Sequence, residues 1–189
     1  VITGNVSTGA MGYGGSGLFM NGSTVTLINP LIADNVDGSA RGQIEVLGGT
    51  LIMEYGTLAN GVRSASAGVV TTGGTAVITN TIIAGHSTGI NAISGSVSED
   101  YTLFYNNALD RNGFNTAGLH DLVADPQFVN PAAGNYHLRS ISPARDRALN
   151  LGVTSDLDGE ARPQTAYGSS GYDLGCDEFA ATLNLPTVV

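Results

Sequence analysis

The chain has 189 residues and a net charge of −9, from 7 basic and 16 acidic side chains. Every basic residue is Arg, which excludes chemistry built on a lysine base, a Schiff base or a phosphate-loop lysine; the acidic balance argues against neutralising nucleic-acid phosphates or docking on an anionic membrane. A single cysteine, Cys176, rules out an intramolecular disulfide framework and a multi-thiolate zinc site, while 42% hydrophobic residues suffice to bury a core.

The chain starts at Val1, already inside a repeat. No basic segment followed by an apolar run precedes it, and no stretch approaches the roughly 18 apolar residues of a membrane span. A processed or excised piece of a longer secreted chain is expected. The phrase Ile2-Thr3-Gly4-Asn5 returns as Ile32-Ala33-Asp34-Asn35, Leu58-Ala59-Asn60-Gly61, Ile83-Ala84-Gly85-His86 and Phe104-Tyr105-Asn106-Asn107, at offsets of 30, 26, 25 and 21 residues. A second phrase starts at Thr24 and recurs at Thr50, Thr75 and Ser96. Turn residues precede each copy: Asn21-Gly22, Gly48-Gly49, Gly73-Gly74 and Ser94-Gly95.

Short runs that alternate apolar and polar residues, rich in β-branched side chains and separated by Gly, read as strands and not helices. One coil of this length cannot bury its own apolar face. Stacking coils about 4.8 Å apart builds a continuous core and pairs each backbone edge with a neighbour. The expected fold is therefore all-β, a parallel β-solenoid with an irregular C-terminal cap. Residues 1–109 form its coils, 110–179 the last irregular coils and the cap, and 180–189 an extended tail. Asn5 and Asn35, and later Asn106 or Asn107, sit at one corner, where stacked amides can hydrogen-bond into a structural ladder. Charge changes along the chain. Residues 1–98 hold six charged side chains with a net −2, and residues 99–189 hold seventeen with a net −7.

Several motif matches have plainer readings. Gly12-Tyr13-Gly14-Gly15-Ser16-Gly17 fits a dinucleotide fingerprint but lacks the strand–turn–helix context. Gly85-His86-Ser87-Thr88-Gly89 fits a nucleophile elbow, yet the sequence returns to another coil instead of a helix. The three histidines have no metal-ligand spacing and read as surface or turn residues. Asp156, Asp158 and Glu160 open like a calcium loop, but Tyr167 stands where an EF-hand needs Glu. A Ca2+ site completed by backbone carbonyls stays open beside the plain reading, an Asx turn with solvated acids. No other cofactor is expected.

Residues 120–179 carry the most distinctive text. It runs Asp125-Pro126-Gln127-Phe128-Val129, Gly134-Asn135-Tyr136-His137-Leu138 and Ser142-Pro143-Ala144-Arg145-Asp146. It continues with Asp156-Leu157-Asp158-Gly159-Glu160-Ala161-Arg162-Pro163 and Tyr172-Asp173-Leu174-Gly175-Cys176-Asp177-Glu178-Phe179. This series resembles the C-terminal end of bacterial right-handed parallel β-helix proteins of the pectate-lyase-like superfamily, most of all the choice-of-anchor Q domain proteins. Members more often carry Ala where Cys176 stands. The resemblance implies a right-handed coil and a secreted or cell-surface location. It implies no activity. Arg162 is expected to pin the cap by pairing with Asp177 or Glu178.

Catalysis on this fold needs converging acids or an acid–Arg groove. The stem offers Asp34, Asp37, Glu45 and Glu54 with Arg41 and Arg63, and no acid cluster repeats down one face. The expectation is a non-enzymatic, extracellular structural solenoid. Val1 and Ile2 at an open first coil, and the apolar tail residues Leu183, Leu185, Val188 and Val189, are the candidate contacts for head-to-tail stacking of copies into filaments. The alternative is a polysaccharide-binding or polysaccharide lyase or hydrolase module. Binding would use Tyr13, Phe19, Tyr55, Tyr101, Phe104 and Tyr105 if they lie along one face.

Overall fold

The structure, a computed structural model, describes residues 1–7, 14–37, 41–60, 66–164 and 171–180. In chain order the strands are β1 (Ile2–Thr3), β2 (Val6–Ser7), β3 (Leu18–Met20), β4 (Ser23–Ile28), β5 (Leu31–Ala33), β6 (Val36–Asp37), β7 (Gly42–Val46), β8 (Gly49–Glu54) and β9 (Thr57–Ala59). Then come the long β10 (Ala67–Ala84) and β11 (Thr88–Tyr105), β12 (Leu109–Thr116), β13 (Leu122–Val123), β14 (Phe128–Asn130) and β15 (Asn135–Leu138). A 3-10 turn spans Pro131–Ala133. No helix among the described residues is long and apolar enough to cross a membrane.

Strands β1, β3–β5 and β7–β13 stack in parallel as a β-solenoid with three columns, while β2 pairs with β6 in a separate parallel pair and β14 pairs with β15 antiparallel. The first column runs β3, β7, the start of β10, the start of β11 and β12. The second runs β4, β8 and the middles of β10 and β11. The third runs β1, β5, β9, the ends of β10 and β11, and β13. The repeated phrases of the sequence are the rungs themselves. Ile2, Ile32, Leu58, Ile83 and Phe104 are in register, as are Thr24, Thr50, Thr75 and Ser96.

Strand alternation sends every second side chain inward. Ile32, Leu58, Ile83 and Phe104 from the third column meet Ile44, Val69 and Ile90 from the first and Leu51 and Ile78 from the second in one core. Each fully buried side chain of this size contributes roughly 1.5–3 kcal/mol. The first column carries its own recurrence, Gly17, Gly68 and Gly89, each just before an inward apolar residue. A Cβ on Gly17 would lie 2.9 Å from Ile32, and one on Gly89 3.2 Å from the Phe104 ring. At these three positions a Cβ would crowd the third-column side chain that fills the corner, whereas Gln43 stands in the same register in the coil between Gly17 and Gly68.

From β5 to β11 the third column is buried on both faces and so reads as continuous apolar text, as buried parallel strands do. Its outward residues Leu31, Ala33, Ala59, Ile82, Ala84 and Leu103 form a second core with Tyr136, Leu138, Ala144, Leu174 and Cys176. The C-terminal segment is irregular, as expected, and its position is lateral. It lies along the flank of the coils and reaches from Leu103 back to Leu31, leaving the outer edge of the last rung uncovered among the described residues.

Candidate functional site

Two corners of the coil take left-handed residues in most of the rungs. One follows the second column, at Asn29, Tyr55, Asn80 and Tyr101 with φ of 50–57°. The other follows the third column, at Gly4, Asp34, Gly85 and Asn106. Gly and Asn suit such angles best.

The residue after the second set supplies the amide ladder. Asn5 donates from its backbone N–H (3.0 Å) and from Nδ2 (2.9 Å) to Asn35 Oδ1. Asn35 Nδ2 donates to the Ile2 carbonyl and to Gln43 Oε1, both at 3.0 Å. Gln43 Nε2 reaches Asn60 Oδ1 at 3.2 Å, and Asn60 Nδ2 lies 3.1 Å from His86 Nδ1. The His86 N–H donates to Asn107 Oδ1 at 3.0 Å, and Asn107 Nδ2 to the Ile83 carbonyl at 3.0 Å. Asn107 is thus a rung and Asn106 is not; Asn106 takes the left-handed angle and its side chain lines a groove. His86 overturns the surface reading of the histidines. It is fully buried, and burial pulls its pKa down to about 4, slightly opposed by the Leu58 carbonyl. With Nδ1 facing an amide N–H, the ring is neutral.

The first set of corners receives the C-terminal segment. Asn29 Nδ2 donates to the Ser155 carbonyl at 2.7 Å, and both Tyr55 Oη and Asn80 Nδ2 donate to the Leu149 carbonyl at 2.7 Å. Arg162 is buried behind them, its guanidinium 4.3 Å from the Tyr55 ring centre. Its Nη1 donates to the Asp173 carbonyl at 2.7 Å and lies 3.4 Å from Glu178 Oε2; its Nη2 donates to the Gly175 carbonyl at 3.1 Å. Glu178 accepts the backbone N–H groups of Gln164 and Asp173. Burial outweighs Arg162 and pushes the Glu178 carboxyl up to about 7. Asp177 does not meet Arg162. It accepts the Leu138 N–H at 2.6 Å and faces His137, and burial raises it to about 6.

The calcium-like text folds beside Asp177. Asp156 Oδ1 accepts the N–H groups of Asp158 and Glu160, both at 2.9 Å, and its Oδ2 accepts that of Glu178. Asp158 Oδ2 lies 2.8 Å from His137 Nε2. Among the described residues, those able to hold a cation form two triads that share Asp177. They are His137, Asp158 and Asp177, and Asp156, Glu160 and Asp177, each with ligand atoms within 4.8 Å of one another.

The last coil ends the apolar stack with charge. Arg111 stands in the register of Ile90, and Glu99 in that of Ile78. Arg111 Nε donates to Glu99 Oε1 at 2.6 Å, Arg111 also pairs with Asp121, and its guanidinium lies 4.3 Å from the Phe104 ring centre. Burial raises the Glu99 carboxyl. Side chains thus seal the core, but the rung outside it is bare: Phe114, Leu119 and Val123 are 68%, 94% and 77% exposed. At the other end Val1 is exposed and Ile2 partly buried. Leu183, Leu185, Val188 and Val189 lie outside the described residues.

Other candidates separate. Gly12 and Tyr13 fall outside the described residues, and the Gly14 N–H is bound to Glu45 Oε2 at 2.7 Å. Ser87 precedes strand β11, not a helix. Of the aromatic candidates, Tyr55 and Phe104 are buried, while Phe19 and Tyr105 are exposed on different columns. Arg63 and the Asp37 side chain lie outside the described residues. The Arg111 network escaped the sequence reading; its signal was a charge at an apolar register position. No family model, no curated protein and no solved structure matches the chain.

Proposed function

We propose that this chain is a non-enzymatic, extracellular structural β-solenoid whose copies associate through coil edges, head to tail. One observation carries the reading. The C-terminal segment docks on the flank, and the β12–β13 rung pairs its outer backbone edge with no strand among the described residues, with Phe114, Leu119 and Val123 exposed beside it. An uncovered strand edge is a template for another strand. Within this chain the outer edges of β3 and β4 also pair with no described strand, and they are the complementary partner of the proposal.

Internal engagement of two of the stem acids, Asp34 and Glu45, supports the non-enzymatic part. Asp34 accepts the Tyr136 hydroxyl at 2.7 and 2.8 Å. Glu45 is buried against Arg41 at 2.7 Å and Thr72 at 3.3 Å. The bacterial, cell-surface placement rests on the resemblance of residues 120–179 to choice-of-anchor Q domain proteins of the pectate-lyase-like superfamily.

Sedimentation and electron microscopy of the purified chain across a concentration series test this reading. Concentration-dependent growth into linear particles is expected. A monomer that persists at high concentration would overturn it.

A further inference from the structure

A groove of about 310 Å³ runs between the end of the third column and residues 125–139. Its volume sits at the lower end of the roughly 300–1,000 Å³ of small-molecule sites, enough for one ring-sized ligand and not for a long polymer. Its walls come from parts of the chain that are remote in sequence. Tyr105 and Asn106 end a coil, and Asp125, Gln127, Phe128 and Arg139 belong to the C-terminal segment.

Local backbone geometry holds these groups open. Asn106 and Gln127 both take left-handed angles, φ 52° and 56°. The Gln127 N–H is tied to Asp125 Oδ1 at 2.8 Å, its carbonyl accepts the Arg139 N–H at 3.1 Å, and Arg139 Nη2 donates to the Val129 carbonyl at 2.6 Å. The Asn106 and Gln127 amides have no side-chain partner among the described residues. Tyr105 lies against the Asp125 carboxylate, which raises its phenol pKa. Phe128 is fixed edge-on to Tyr136, with ring centres 5.2 Å apart.

The lining selects against most ligand classes. An anion meets Asp125, and a cation meets Arg139. A purely apolar ligand leaves two amides and two charges without water. A neutral polyhydroxylated ring satisfies all of them, because each hydroxyl both donates and accepts. Hydroxyls donate to Asp125 and to the amide oxygens and accept from Arg139 and the amide N–H groups, while the C–H face of the ring meets Tyr105 or Phe128. We infer that this groove binds one neutral pyranose unit, free or at the end of a glycan. The inference does not rest on self-association.

The test is an amide-resolved NMR titration of the intact chain with glucose, galactose, mannose and N-acetylglucosamine. Glucuronate, glucosamine and glycine betaine serve as anionic, cationic and zwitterionic comparisons. Saturable millimolar shifts confined to residues 60, 84–85, 105–106 and 125–139, from at least one neutral sugar, are expected. Asp125→Asn keeps the acceptor for the Gln127 N–H, so the turn survives, and is expected to weaken binding tenfold or more. Absence of localised shifts with every neutral sugar overturns the inference. So does tighter binding of any charged or zwitterionic probe, or an unchanged affinity in Asp125→Asn. The titration of the unsubstituted chain decides even if the variant misfolds.

Discussion

The stem and the C-terminal segment are built on opposite principles. In the stem, residues a coil apart do the same job: backbone pairs with backbone, apolar stacks on apolar, and one amide ladder closes a corner. In the C-terminal segment few backbone groups pair with strands. Asp146, Asp156, Asp173, Asp177 and Glu178 instead accept backbone N–H groups one by one. The stem's stability is spread over many equivalent rungs, whereas the segment's is concentrated in a few buried charges. The two regions should therefore fail in different ways.

The largest effect is expected at Arg162. It holds two carbonyls, lies on the Tyr55 ring and is the cation beside buried Glu178. Arg162→Met leaves two buried carbonyls without their donor, a loss of about 1–3 kcal/mol for each buried group left unpaired. Hydrogen exchange should show protection lost over 144–178 while strands β8–β11 stay protected. Equal loss in both regions would mean that the segment and the stem are one cooperative unit.

The pH response should split the regions next. His86 has its folded pKa lowered to about 4 from 6.5. Its contribution to the stem is full above pH 6.5 and is lost as pH falls toward 4, because the unfolded chain takes up the proton first. Glu178 and Asp177 have folded pKa values raised to about 7 and about 6, from 4.5 and 3.8. Their contribution is full at low pH and is lost as pH rises through those values, because the folded segment holds the protons. Displacements of this size are worth on the order of 3 kcal/mol for His86 and for Glu178. Local exchange rates at pH 4.5 and pH 7.5 should move in opposite directions in the two regions. His86→Asn should flatten the acid limb of the stem alone.

A single ladder rung comes third. Asn35 is buried and makes four hydrogen bonds, to Asn5, Ile2 and Gln43. Asn35→Ala leaves buried donors and acceptors unpaired, at roughly 1–3 kcal/mol. The loss should appear in chemical denaturation of the whole stem and leave the exchange of 144–178 nearly unchanged relative to it.

The same contrast explains what could be read from the sequence. Parallel in-register stacking forces like residues to like positions, so the phrases at Ile2, Ile32, Leu58, Ile83 and Phe104 spell out a column in the sequence itself. Asn5 and Asn35 were legible as partners because both are Asn. The ladder's middle was not, because Gln43, Asn60 and His86 fill its rungs with different side chains from different columns. The C-terminal segment repeats nothing. Its anchors join residues far apart in sequence, Asn29 with Ser155, Tyr55 with Leu149 and Thr57 with Cys176, and no local pattern announces such pairs. Arg162 and Glu178 are 16 positions apart with no spacing rule between them, and Asp177, equally acidic, turns to His137 instead.

The smallest effect on stability is expected on the last rung, where it is also the most informative. Leu119 is 94% exposed and touches neither core, so Leu119→Ser should change folding free energy by less than about 0.5 kcal/mol. Its neighbours on that edge, Phe114 and Val123, are nearly as bare, and Phe114→Ser and Val123→Thr should be equally mild. If the edge is where a second copy adds its strand, the triple variant should keep its melting temperature and shift sedimentation toward the monomer. The shift arises because each exposed apolar side chain loses only the burial that association provides. Unchanged association in the triple variant would remove the edge from the assembly and leave the stem as a solenoid whose Arg111 network ends it in full.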